Sequence, residues 1–224
     1  MGIYVVSVDA DDWTDGEVRG PLGAALDGEL ARRGLGAFTP TAPQPTAGGG
    51  REAGPHARSG PSGLLGRFGR RKRPARPEGP PDRFEEKVNR PYDGLEALCR
   101  AQPAEWRCQE ALLDWDVLVP VDFHGVIRLA VPAELDGDGA RVRSAHRTAE
   151  AGRRLAGVLG LPDRVPRDGG PLALTNWFSR PAVRQDAAEE AGAWRDDLDA
   201  AYFTALYLGA AEHALRRGCA IAYG

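Results

Sequence analysis

The spacing of apolar and polar residues along this chain changes several times, and each change predicts an element. Ile3 to Val8 is β-branched and nearly continuous, the pattern of an interior strand. Leu22, Ala25, Leu26 and Leu30 then recur at helical spacing, which predicts an amphipathic helix over 21–33 with Pro21 near its start and Gly34 at its stop. The Asp-rich stretch between them, 9–13, reads as a loop. Two short helices are expected over 93–101 and 103–113. The alternating runs 115–123 and 126–131 flank His124-Gly125 and predict a tight hairpin, with Phe123 opposite Val126 and Pro120 opposite Leu129. Residues 132–141 read as a loop, 143–159 as a helix stopped by Gly160, and 172–178 as a short strand.

The last thirty residues are the best specified. Asp196, Asp197 and Asp199 precede an almost wholly apolar run, 200–211, and Arg216, Arg217 and Gly218 close it. Acids at the start and bases at the end complement a helix dipole, and a glycine supplies the left-handed stop. A helix apolar on all sides is a buried one. Cys219 to Tyr223 then reads as a strand in a sheet interior. The expected fold class is α+β: a small mixed sheet with a central hairpin, packed by several helices including this long C-terminal one, and completed by a terminal strand.

Residues 40–83 break the pattern. They hold nine Pro and nine Gly, with Leu64, Leu65 and Phe68 almost the only large apolar residues, which predicts a disordered insertion in a single domain spanning 1–224. The insertion carries nine basic residues against three acids, a net of +6. The whole chain is −3, so the remainder is about −9. Of the 29 basic residues in the chain only Lys72 and Lys87 are lysines, the arginine bias of a GC-rich bacterial genome. Arginine runs therefore carry less meaning here than elsewhere.

Cys99, Cys108 and Cys219 are odd in number and form no metal-type pair, so they are expected reduced and buried. The N-terminal apolar run is strand-length and lacks a basic start, unlike a secretory signal. The longest apolar run is too short for a membrane span. These features suggest a cytoplasmic protein with no membrane association.

Three groups of residues could carry chemistry. Asp9, Asp11 and Asp12 follow the first strand, where clustered carboxylates can hold Mg²⁺ or Mn²⁺ or supply a nucleophile; Asp9 and Asp11 would be the metal ligands. Asp9-x-Asp11 resembles the opening motif of haloacid-dehalogenase phosphatases, with Trp13 where that family carries a threonine, and the resemblance implies metal-assisted phosphate hydrolysis. Asp122 and His124, with Arg128 nearby, form a second group, since a neutral imidazole near a carboxylate can act as a base. The third is the basic run Arg67, Phe68, Arg70, Arg71, Lys72, Arg73 and Arg76, which could bind nucleic acid or an acidic protein surface. Each group also has a plainer explanation, as a solvated turn, a polar turn residue or a codon-biased tether.

The reading that follows is a non-catalytic bacterial accessory or interaction protein, of immunity type, binding a protein partner through its acidic body and needing no cofactor. The alternatives are a small metal-assisted hydrolase on the Asp9/Asp11/Asp12 cluster and a nucleic-acid-associated protein using the basic loop, nucleic acid being disfavoured by the acidic body.

Overall fold

A computed structural model of the chain describes residues 2–14, 19–40, 83–130, 139–167, 170–183 and 192–223. The predicted insertion at 40–83 lies outside the described residues except for its two end positions, and the basic run 67–76 lies outside them entirely.

Six strands form one mixed sheet: β1 (Ile3–Val8), β2 (Glu85–Val88), β3 (Val117–Val119), β4 (Ile127–Leu129), β5 (Ala140–Ser144) and β6 (Ala220–Tyr223), in the order β2-β1-β6-β3-β5-β4. β3 and β5 run parallel; every other pair is antiparallel. β1, β3 and β5 therefore share one direction, and their C-terminal ends emerge along the same side of the sheet.

The helices cover both faces. On one lie α1 (Ala10–Thr14) and α2 (Arg19–Arg32), where Trp13, Leu22, Leu26 and Leu30 meet Val117, Val119, Ala220 and Ala222 of the strands. On the other lie α3 (Asp93–Arg100), α4 (Cys108–Leu112), α5 (Ala145–Leu159), α6 (Ala173–Phe178) and α7 (Leu198–Arg217). Period-two alternation sorts the strands between these layers: Leu118 and Ile221 face the second while their neighbours face the first. The expected α+β class, long buried helix and terminal strand are all present.

α7 is the helix read from the sequence. The Asp197 side chain caps it, accepting hydrogen bonds from the N–H groups of Asp199 (3.0 Å) and Ala200 (2.8 Å), and Gly218 ends it at φ 63°. Every residue from Ala200 to Ala211 is buried. α5 crosses it closely because Gly152 has no side chain: a Cβ there would lie 3.1 Å from Leu208 Cβ. β6 is not at an edge but between β1 and β3. No helix among the described residues is long and apolar enough to cross a membrane. The three cysteines are free and buried.

Four expectations need correction. Residues 10–14 are helical, with Asp11 and Asp12 in the first turn of α1, where their charges suit the dipole. The expected central hairpin is not formed, because β5 lies between β3 and β4 and pairs with both. β3 is buried at all three positions and so takes an interior place with two partners. Asp116 helps bring β5 in: it accepts from the Arg141 main-chain N–H (2.8 Å) and from two guanidinium nitrogens at 3.1 and 3.2 Å. The 124–126 backbone is held instead as a wide loop, with Arg33 donating to the carbonyls of His124 (3.3 Å) and Val126 (3.2 Å). The third correction is α6, predicted as a strand. A short apolar run suits either state, and the buried Glu86 decides it by accepting from the N–H groups of Leu174 (2.7 Å) and Thr175 (2.8 Å). Last, the helix expected over 103–113 is a 3-10 turn (Ala104–Trp106) and the short α4, separated by Arg107 in the left-handed region at φ 49°.

Candidate functional site

A pocket of about 180 Å³ opens where β5 passes into α5. One wall is α5 itself: Arg147, Glu150, Ala151 and Arg154 recur at helical spacing along the face beside the pocket, and Ser144 stands at the helix start. The opposite wall is the 3-10 turn and α4, through Trp106, Arg107 and Glu110, and the β3–β4 loop closes one end with His124 and Gly125. Thr148 Oγ1 donates to the Ala111 carbonyl (2.8 Å) and ties the two walls together.

The charges in the pocket are unevenly matched. Arg107 lies 3.4 Å from Glu110, Arg154 lies 2.6 Å from Glu150 and 5.8 Å above the Trp106 ring, and Arg147 reaches both Asp122 (2.9 Å) and Glu150 (3.3 Å). Arg143 differs. Its Nη2 donates a long bond to the Leu113 carbonyl (3.4 Å) and no carboxylate among the described residues lies within ion-pair distance; its Nε is enclosed without a hydrogen-bond partner, as is the Nε of Arg147, which lies 2.9 Å from Asp122 without making an aligned hydrogen bond. Burial pushes its pKa below the ordinary arginine value, with Glu110 and Asp114 pulling the other way. Ser144 is 2% exposed and is the N-cap of α5, yet its hydroxyl accepts from no first-turn N–H and has no other partner. A buried hydroxyl and an enclosed guanidinium N–H, on neighbouring residues that line the same pocket, are thus both left without a hydrogen-bond partner. Native interiors rarely tolerate this, since each such group costs about 1–3 kcal/mol.

The sequence candidates fall around this pocket unequally. His124 is exposed on its rim, held there through its carbonyl by Arg33. Asp122 does not orient His124 but pairs with Arg147. Ser144 and His124 line one pocket, but no hydrogen bond joins them, so a nucleophile–base pair is not assembled. Arg128 is exposed in the middle of β4 and does not line the pocket. Asp9, Asp11 and Asp12 are exposed at the end of β1 and the start of α1, and no group of three His, Cys, Asp or Glu residues among the described residues could hold a metal ion. Arg67, Phe68, Arg70, Arg71, Lys72, Arg73 and Arg76 lie outside the described residues.

The cysteines are poor nucleophiles. Burial raises all three thiols, Cys99 to about 12 and Cys219 to about 11, so little thiolate forms near neutrality.

Arg143 and Ser144 were missed because 143 reads as the first residue of the α5 helix rather than as the end of a strand. A serine between an alternating Arg-Val-Arg and an apolar helical repeat was the available signal. The chain matches no family model, no curated protein and no solved structure.

Proposed function

We propose that this chain is a non-catalytic binding protein whose recognition site is the pocket at the start of α5, and that the site takes an anionic group. The observation that carries this reading is the pairing of two unsatisfied buried donors, the Ser144 hydroxyl and the Arg143 Nε, at the positive end of a 15-residue helix. An anion seated there accepts from both and removes their desolvation penalty.

The test is a thermal melt in phosphate, sulfate, acetate and chloride at matched ionic strength. A ligand at 100-fold excess over its Kd stabilises the native state by ~2.7 kcal/mol, which for a domain of this size is a rise of several degrees. At least one oxyanion should raise the melting temperature, and Arg143→Gln should erase the rise. Equal melting temperatures in all four salts would remove the basis of the reading.

A second reading, a protein partner engaged through the acidic surface, is favoured by the charge asymmetry between residues 40–83 and the remainder at about −9. A chain lacking 41–82 should then keep its binding to a basic partner and lose association rate more steeply with added salt. Loss of binding in that deletion, with a native circular dichroism spectrum, counts against this second reading and for the basic loop.

A further inference from the structure

Resting on the anion-site reading above, we infer that the anion is the phosphoryl group of a small phosphomonoester, with the rest of the molecule lying in the neighbouring cleft. The first support is charge. Arg107, Arg147 and Arg154 each lie within ion-pair distance of a carboxylate, whereas Arg143 does not, Glu110 and Asp114 acting on it only from further away. Glu105, also at the pocket, is exposed on the Trp106 side. The least compensated charge at the Ser144 end is thus the Arg143 guanidinium, joined by roughly half a charge from the helix N-terminus. A phosphomonoester carries about −1.5 to −2 near neutrality and matches that sum, whereas a carboxylate carries less.

The second support is shape. The pocket's 180 Å³ equals roughly six waters' share of liquid volume, enough for a phosphoryl group and little more. The third support is continuity. A wider cleft of about 520 Å³ shares Glu110, Gly125 and Arg143 with the pocket. That volume lies in the range of small-molecule sites. Its further lining of Glu96, Arg100, Gln109, Asp114, Leu113 and Val126 is mostly polar and carries both signs of charge, so the ligand body would carry hydroxyl or amine groups. Arg107 and Asp114, both left-handed at φ 49° and 55°, bracket the short helix that separates the two spaces.

The experiment titrates the full chain with phenyl phosphate, sulfate, acetate and a phosphoserine peptide, following heat of binding at pH 5 and pH 7.5. Phenyl phosphate and sulfate should bind and acetate should be at least tenfold weaker. The affinity of phenyl phosphate relative to sulfate should rise several-fold between the two pH values, as the second phosphate proton leaves near pH ~6; sulfate, already doubly charged, cancels any contribution from His124. Arg143→Gln should weaken phenyl phosphate at least tenfold and Ser144→Ala several-fold, while Arg153→Gln, on the same helix but paired with Glu212, should change nothing. Acetate binding as tightly as phenyl phosphate, or a ratio to sulfate that does not move with pH, overturns the phosphoryl assignment and leaves an anion site standing. Failure of every anion to bind overturns both. A phosphoserine peptide binding tenfold tighter than phenyl phosphate overturns the small-molecule assignment alone.

Discussion

Two helix starts in this molecule meet the sheet in opposite ways. At α6 the Glu86 side chain, 1% exposed, accepts from Leu174 N–H, Thr175 N–H and Thr175 Oγ1 (2.7 Å). Around it Lys87 N–H donates to Thr175 Oγ1 (3.1 Å), and Tyr202 donates its hydroxyl to the Lys87 carbonyl. Arg90 closes the cluster by pairing with Asp199 (2.6 Å), donating to the Phe178 carbonyl (2.9 Å) and lying over the Phe178 and Tyr202 rings. Donors and acceptors are matched, and the region is a fastening. At α5 the cap hydroxyl and the neighbouring guanidinium N–H are buried and unmatched. One start is satisfied by groups of the chain itself; the other leaves two groups without a hydrogen-bond partner.

The comparison predicts opposite signs for mutations of similar size. Glu86→Ala should be the most damaging, because three buried donors lose their acceptor at about 1–3 kcal/mol each. A loss of about 3 kcal/mol or more in urea unfolding is expected. Glu86→Gln should lose less, keeping one oxygen for three donors. The pH dependence sharpens this. Burial raises the Glu86 pKa above the ordinary 4.5, and the hydrogen bonds from Thr175 and Leu174 only partly offset it. A raised carboxyl pKa means the folded state holds the proton more tightly, so its contribution falls as pH rises from about 4.5 through the raised value. The stability gap between the unmodified protein and Glu86→Gln should therefore narrow between pH 4 and pH 8. A gap that widens contradicts the raised pKa.

Arg143→Met should go the other way, gaining about 1 kcal/mol in the ligand-free protein because it removes a half-buried charge with no carboxylate within ion-pair distance. It should also abolish the anion-dependent rise in melting temperature. A marked loss of stability would mean that Arg143 is structural. The smallest effect is expected from Ser144→Ala, a gain of up to about 1 kcal/mol, since deleting a buried hydroxyl that has no partner removes its desolvation cost and breaks no bond. A loss near the 1 kcal/mol typical of a serine N-cap would show that the hydroxyl caps α5 in solution.

How far each start could be read from sequence follows from the range of the interactions involved. α7 was legible end to end because its signals, Asp197, Arg216, Arg217 and Gly218, are local. α6 was misread because what makes Leu172 to Phe178 helical is Glu86, 88 residues from the Leu174 N–H it accepts. The expected hairpin failed for a similar reason: His124-Gly125 carries the right local turn chemistry, but Arg33 and the insertion of β5 override it. Of the pocket's lining, only His124 was singled out, together with Asp122, which pairs with the lining residue Arg147. Arg143 and Ser144 become conspicuous only when their missing partners are known, and a missing partner leaves no trace in a sequence.

The position of β6 has a consequence for how the protein assembles. Ala220–Tyr223 is the seam between two half-sheets, β2-β1 on one side and β3-β5-β4 on the other. While the ribosome is still making the residues before it, no strand pairing joins the halves, and the facing edges of β1 and β3 are bare strands open to mispairing. Both cores wait on this same short segment, since Ile221 fills one and Ala220 and Ala222 the other. Closure of the sheet is thus deferred until the last of the described residues has emerged, and the pocket at β5, two strands along from β6, takes its final form only after that step.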